Sequence, residues 1–426
     1  MRIAFYHDTS RFENWTWHQV DRGLIALSGT DGAMVRLPGE VARLGHETTL
    51  YCTKAPAESG SIQTELVSDL PQAVRKAKSS ENAVIVFNNR GDDETRAGIF
   101  MCEQVGLPCV IWDHNGPSPD FRDVLLSPSV RKLVCVSNAQ ADEVRDHPVF
   151  NKTHVIYNAL PSVHAPQPPS SPEARSNTVC FLGGLMRNKG FHYLAQAWPS
   201  IRKRIPDARL NVLGSSSLYG ARKTGPLGIG DPDYEIRDII PYLGRSATEL
   251  EAKGVKLMGL VRPVEAREIL GNAAIGVVNP HCSRCIETFC VSAIEIQAAA
   301  AVVVGGNAGG LRETILHGRT GLLIKKESEL ADTIVWLLSR PLMRANMGRA
   351  ARQWVLSAFS QDDITAQWCK LLTSAAKGES DNKVKIPLAG HSARILAKEA
   401  IRYARKVPLI GQRVPSLHQF RTRLSS

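Results

Sequence analysis

Glu287 and Glu295 stand eight residues apart in the stretch from Asn279 to Glu313, N-P-H-C-S-R-C-I-E-T-F-C-V-S-A-I-E-I-Q-A-A-A-A-V-V-V-G-G-N-A-G-G-L-R-E. On one unbroken helix, eight residues turn through about 800°, which leaves two side chains roughly 80° apart. With Glu287 in a loop and Glu295 two turns into a helix, both can instead face one crevice at different depths. The amides of Phe289, Cys290 and Val291 would open that helix between them and favour an anion. Carboxylates prefer hydroxyl-bearing partners, whereas bare amides prefer phosphate. A ligand with sugar hydroxyls at both ends and phosphates in the middle, a nucleotide sugar, suits this layout. The spacing alone also fits two solvated glutamates, so the surrounding elements decide between them.

Those elements alternate. The apolar run Ala274 to Val278 reads as a buried strand, the polar loop with Glu287 follows, a helix is expected to start near Phe289 or Cys290, and Ala301 to Val304 reads as the next buried strand. This is a crossover of a parallel α/β sheet, in which ligands bind at the carboxyl ends of the strands. From Met1 to about Ala159 the strand candidates are Arg2 to Tyr6, Thr48 to Cys52, Ala83 to Phe87, Cys109 to Trp112, Leu133 to Val136 and His154 to Ile156. A second series contains Val179 to Leu182, Arg209 to Leu213, Val255 to Met258, Ile275 to Asn279, Ala301 to Val304 and Gly321 to Ile324. Leu160 to Asn177, with five prolines, reads as a linker between them. The expected fold class is α/β, with two Rossmann-like domains facing across a cleft and a basic C-terminal helical tail. The division is residues 1–160, linker 161–177, 178–376 and tail 377–426. The polar segment Gly214 to Gly254 is too long for an ordinary loop, and such segments are usually functional or mobile.

At 426 residues, 43% hydrophobic and 22% charged, the chain suits a two-domain globular enzyme and excludes collagen-like, coiled-coil and repeat architectures. Its opening, Met1-Arg2-Ile3-Ala4-Phe5-Tyr6, is too soon polar for a signal peptide, and no apolar run reaches membrane-spanning length. Nine cysteines, an odd number, point to reduced thiols and a cytoplasmic setting. Of the net charge of +11, residues 383–426 supply +9 through ten Lys/Arg and one Glu, so the rest of the surface is near neutral.

Several motifs, in order, resemble the GT-B glycosyltransferases of family 4, retaining enzymes that use nucleotide sugars; the resemblance spans about residues 1 to 376. Ser28-Gly29-Thr30-Asp31-Gly32 stands where the family has a Gly-Gly loop, with Gly29 at the second glycine and Ser28 in place of the first. Pro38 falls where the family helix is continuous, which predicts a kink or a late start. Trp112-Asp113-His114-Asn115-Gly116-Pro117 resembles the segment that brings a histidine beside the transferred sugar, which assigns that role to His114. His7 and Asp8, ending the first strand, share its sheet edge. Phe181-Leu182-Gly183-Gly184-Leu185-Met186-Arg187-Asn188-Lys189-Gly190 resembles the pattern whose arginine and lysine grip the diphosphate. Lys189 matches, Gly184 occupies the arginine position, and Arg187 is the cation near enough to take it over. The resemblance further implies that Glu287 contacts the donor sugar and Glu295 the ribose. Ala308 to Glu313 and Gly318 to Gly321 resemble the closing segments of the family.

The implied activity is transfer of a sugar from a nucleoside-diphosphate sugar to an acceptor hydroxyl, in polysaccharide or glycolipid assembly, with saccharide or lipid-linked acceptors. The nucleotide sugar is a co-substrate, and neither a cofactor nor a metal is expected. His114 and Glu287 are the expected catalytic residues. Gly29, Arg187, Lys189, Phe289, Cys290, Val291 and Glu295 are the expected donor contacts. A rival reading of His281-Cys282-Ser283-Arg284-Cys285 with Cys290 is a zinc knuckle, against which stands the lack of a second ligand pair at zinc spacing. The departures at Ser28 and Gly184 keep open a nucleotide-sugar-binding protein without transfer activity, or an inactive partner of an active enzyme. Nucleic-acid binding through the tail is a further and weaker alternative. From His391 to Val407 one helical face carries Ala393, Leu396, Ala397, Ala400, Tyr403, Ala404 and Val407 and another Arg394, Lys398, Arg402 and Arg405. Such a helix either lies on an anionic membrane, making the protein peripheral on the inner face, or packs on the first domain with a solvated basic rim.

Overall fold

The computed structural model describes all residues except 59, 61, 162–174, 220–223, 283–286, 380–391, 406–413 and 415–426. It divides into two compact units: Met1–Trp17, Thr30–Tyr157 and Asp362 onward form unit 1, and His18–Gly29 with Asn158–Gln361 form unit 2. The linear division expected from the sequence differs in two places. The Gln361–Lys377 helix counts with unit 1, where Trp368 stacks on Trp112 at 4.6 Å and Asp362 pairs with Arg43. Residues 18–29 count with unit 2. Most of the proline-rich linker lies outside the described residues, but Arg175 at its end donates to the carbonyls of Ala273, Ala299 and Ala300.

Unit 1 carries a seven-stranded parallel sheet in the order β3-β2-β1-β4-β5-β6-β7. Its strands are β1 (Arg2–His7), β2 (Glu47–Cys52), β3 (Gln63–Leu66), β4 (Val84–Asn88), β5 (Cys109–Asp113), β6 (Val130–Cys135) and β7 (Thr153–Val155). Strands covered on both faces must be apolar throughout, and β1 and β5 are buried nearly end to end. Only β3 was not expected: Gln-Thr-Glu-Leu is a half-exposed edge strand without an apolar run. The Gly29–Arg43 helix runs through Pro38 without a break.

Unit 2 carries six parallel strands in the order β10-β9-β8-β11-β12-β13, and each coincides with an expected strand. They are β8 (Thr178–Leu182), β9 (Arg209–Leu213), β10 (Val255–Gly259), β11 (Ile275–Val277), β12 (Val302–Gly306) and β13 (Gly321–Ile324). Along β8, Val179 and Phe181 enter one core with Trp198, Ile275 and Leu330, while Cys180 and Leu182 enter the opposite core with Ile296 and Val303. Each sheet thus follows the doubly wound order, with the first and fourth of its strands meeting where the direction of winding reverses.

The described part of the long segment after β9 is packed. Ile229, Tyr234, Ile239 and Leu243 join the core, and the buried Glu235 carboxylate accepts hydrogen bonds from the amides of Leu227, Ile229 and Gly230 at 2.6, 2.8 and 2.6 Å. A buried carboxylate satisfied by three amides holds a loop much as a helix cap does.

The tail helix, Ser392–Ala404, packs in unit 1 with Lys398 and Arg402 inward. Lys398 is buried and donates to the Asp142 carbonyl, and Arg402 pairs with Glu399 and covers the Phe150 ring at 4.6 Å. Arg145 holds Glu399 from the other side at 3.2 Å. Of the rim expected to be solvated, Lys398 and Arg402 are therefore turned inward, while Leu396 and Tyr403 are 67% and 57% exposed. Among the described residues no helix is long and apolar enough to cross a membrane.

Candidate active site

Where the winding of unit 2 reverses, β8 and β11 run side by side, Phe181 opposite Val277. The chain leaving β8 turns through Arg187-Asn188-Lys189 and enters the Phe191–Arg204 helix at Gly190. Gly190 has φ 74°, and a Cβ there would sit 2.8 Å from Pro280, so a larger residue would push the two loops apart. The chain leaving β11 passes through Asn279 and reaches Glu287.

These two loops meet in an ion pair. Lys189 Nζ donates to Glu287 Oε2 at 2.8 Å, and Asn279 Nδ2 donates to the same oxygen at 3.1 Å. The side chains are only 26% and 11% exposed. Burial pushes the Glu287 carboxyl up, but the Lys189 charge and the hydrogen bonds of Lys189 and Asn279 outweigh it and hold the group below its ordinary value. The backbone is fixed as well: Gly310 N–H donates to the Glu287 carbonyl at 2.7 Å. A Cβ on Gly310 would lie 2.1 Å from the Thr288 carbonyl, so the Ala308-Gly309-Gly310 run serves close backbone approach.

The helix carrying Glu295 spans Val291–Ala298, one or two residues later than expected. Cys290 precedes it at φ 74°, and Phe289 is buried against Phe359 at 5.4 Å between centroids. Phe289 and Cys290 are thus lead-in residues, and Val291 is the first helical one. Gly29 lies against this turn, since a Cβ on it would be 3.1 Å from Val291 Cγ2. Glu295 is half-buried in the second turn. Burial drives the Cys290 thiol upward, Glu287 and Glu295 add to that and Lys189 opposes it, so all three charges surround this sulfur.

Arg187 is otherwise engaged. Its guanidinium pairs with Asp233 at 2.9 Å and Asp238 at 2.6 Å and lies over the Tyr234 ring at 5.7 Å. Its carbonyl accepts from His281 Nε2 at 2.7 Å. Cys285 falls outside the described residues, and among the described ones no three His, Cys, Asp or Glu side chains converge as metal ligands. Burial and the neighbouring His281 push the His192 imidazole down to about 4.

His114 stands in unit 1, one residue beyond β5, buried beside Trp112 with ring centroids 4.5 Å apart. Its Nδ1 donates to Asn88 Oδ1 at 3.1 Å, which orients the ring from the end of β4. Burial raises the preceding Asp113 to about 6 against hydrogen bonds from Asn89, Gly116 and Asn115. The orienting groups Asn279 and Asn88 received no role from the sequence; the signal they carry is an amide side chain at or just past a strand's carboxyl end.

Residues 166–354 match the family model of the glycosyl transferases group 1. A D-inositol 3-phosphate glycosyltransferase from Arthrobacter sp. is 33% identical over 285 residues, 60% of this chain and 62% of that protein. A GDP-mannose-dependent alpha-(1-6)-phosphatidylinositol monomannoside mannosyltransferase from Mycobacterium tuberculosis is 30% identical over 199 residues, 46% of this chain and 47% of that one. The aligned chain thus spans about half to three fifths of the length of these curated relatives. Among solved structures, HepE of Anabaena in complex with UDP and glucose superposes with a TM-score of 0.65 at 19% identity, covering 88% of this chain and all of that one. Sucrose-phosphate synthase from Thermosynechococcus elongatus gives 0.63 at 17% identity over 88% of this chain and 98% of that one. At these identities the structural likeness establishes the fold, two parallel α/β units of the GT-B class. Over residues 166–354, which hold Lys189, Glu287 and Glu295, the chain is similar in sequence to the group 1 glycosyl transferases.

Proposed function

We propose that the protein is a glycosyltransferase of the retaining, family 4 type, which moves a sugar from a nucleoside-diphosphate sugar to an acceptor hydroxyl. The observation that carries this reading is the Lys189–Glu287 pair at the β8/β11 reversal, backed by the Val291–Ala298 helix start. Unit 2 takes the donor. Lys189 and the amides around Phe289 to Val291 stabilise the departing diphosphate, while Glu287 orients the donor sugar and Glu295 the ribose. Arg187 acts as a second cation whose charge Asp233 and Asp238 already partly neutralise. Unit 1 carries the acceptor and His114.

In the retaining reaction the bond from the anomeric carbon to the phosphate oxygen breaks, and its electron pair leaves with the diphosphate. The acceptor oxygen bonds to the same face of that carbon, and its proton passes to the departing phosphate oxygen. Fixed cations and amides meet the developing charge, so this reading calls for no metal. We place the enzyme in the cytoplasm, peripheral on a membrane through the outward Leu396 and Tyr403. With Lys398 and Arg402 turned inward, that contact is chiefly apolar.

The test is a panel of nucleotide sugars read by released nucleoside diphosphate, with and without anionic lipid vesicles. Wild type turns over at least one donor, and Glu287→Ala loses turnover by about 100-fold or more. Undiminished turnover in that variant removes Glu287 from the site. Donor binding with no turnover by wild type replaces the reading with a binding protein.

A further inference from the structure

The reversal point of the unit 1 sheet holds a pair of side chains that the proposed reaction has not used. His7 closes β1, and Asp31 lies in the first turn of the Gly29–Arg43 helix. His7 Nε2 and Asp31 Oδ1 are 3.1 Å apart, and the two side chains are 8% and 13% exposed. A carboxylate only accepts, so Nε2 carries a proton, and in the neutral ring Nδ1 keeps its lone pair. No described residue hydrogen-bonds that Nδ1, and the ring also meets Phe12 in a T-shaped contact, centroids 5.8 Å apart. Buried imidazoles normally satisfy both nitrogens, so a ring fixed on one side and unspent on the other is set to receive a donor.

Its place in the sheet narrows the ligand. β1 pairs with β4 where the strand order turns, Tyr6 opposite Phe87, which sets His7 beside Asn88. Asn88 in turn fixes His114 Nδ1. Two histidines, each held through one nitrogen by a side-chain oxygen, therefore stand at the ends of β1 and β5, on either side of β4. Carboxylates border this edge: Asp31, and Asp8, whose partner is Arg90 at 2.6 Å. A phosphate would meet negative charge here, whereas a neutral hydroxyl would find an imidazole acceptor.

We propose that His7, fixed by Asp31, is an acceptor-positioning residue: its Nδ1 takes the hydrogen bond of a hydroxyl on a saccharide or polyol acceptor and so orients the acceptor for attack. This rests on the glycosyltransferase reading, and the experiment separates the two. The full chain is given the donor identified in the screen and a panel of saccharide acceptors, and both transfer and acceptor-independent release of nucleoside diphosphate are measured. In His7→Gln the ratio of transfer to release falls at least tenfold, and the acceptor KM rises, while the Kd for the nucleoside diphosphate stays within twofold of wild type. Asp31→Asn, which keeps the contact but not the charge, lowers the ratio by a smaller factor, and it decides the matter if His7→Gln does not fold. An unchanged ratio in the folded variants overturns the assignment and leaves the glycosyltransferase reading standing. A wild type that turns over no nucleotide sugar overturns both.

Discussion

The two units share one strand order and differ in what their strand ends carry. In unit 2 the chains leaving β8 and β11 meet in a lysine–glutamate pair, cradled by a helix start and by glycine backbone. In unit 1 the corresponding ends, β1 and β4, lead to His7 and to the Asn88–His114 contact, hydrogen-bonded groups beside which the Arg90 cation is paired with Asp8, Asp92 and Glu94. Topology chooses the place, and on the proposed reading the residue types at that place choose the ligand: charge for a diphosphate, imidazole for a hydroxyl. Two predictions sharpen this contrast, and a third can break it.

The largest effect belongs to the unit 2 pair. Lys189→Ala removes the cation and leaves the buried Glu287 charge uncompensated, so transfer falls about 100-fold and urea denaturation shows a loss of about 3 kcal/mol. The double variant Lys189→Met/Glu287→Gln recovers most of that stability and none of the activity. Recovery of activity would make the pair structural only.

Asp113 in unit 1 and His192 in unit 2 respond to pH with opposite sign. Asp113 is raised from 3.8 to about 6, so the stability it brings is complete below 3.8 and is lost as pH rises through 6. Asp113→Asn removes this slope and gains up to about 3 kcal/mol at pH 7 in thermal melts. His192 is lowered from 6.5 to about 4, so its contribution is present above 6.5 and is lost as pH falls through 4. His192→Gln flattens that limb by about 2 kcal/mol, reduced for partial solvent access. The smallest effect is that of Arg187→Ala. Because Asp233 and Asp238 share its charge, donor kcat/KM falls only about tenfold. A loss equal to that of Lys189→Ala would break the distinction between the two cations.

Much of this is legible in the sequence. Continuous apolar runs located the buried strands, since a parallel sheet hides both faces. β3 escaped because an edge strand such as Gln-Thr-Glu-Leu buries too little to need such a run. Lys189 stands out through the resemblance of its segment to the family pattern, and Glu287 through its spacing from Glu295 in the loop after a strand. Their partner Asn279 does not, because an amide in a loop looks like any turn residue until the carboxylate it holds is placed.

By itself, then, the sequence determined which segments are buried, the alternation of strand and helix, and the residue types at the strand ends, because hydrophobic period and turn chemistry are local. Only the tertiary structure decided what depends on partners distant along the chain. It joined His7 to Asp31 and Lys189 to Glu287, 24 and 98 residues apart, and tied Arg187 to Asp233. It also chose which face of the tail helix turns inward. A helix offers two faces with one periodicity, and here the Asp142 carbonyl, Phe150 and the Glu399–Arg145 contact drew the cationic one in.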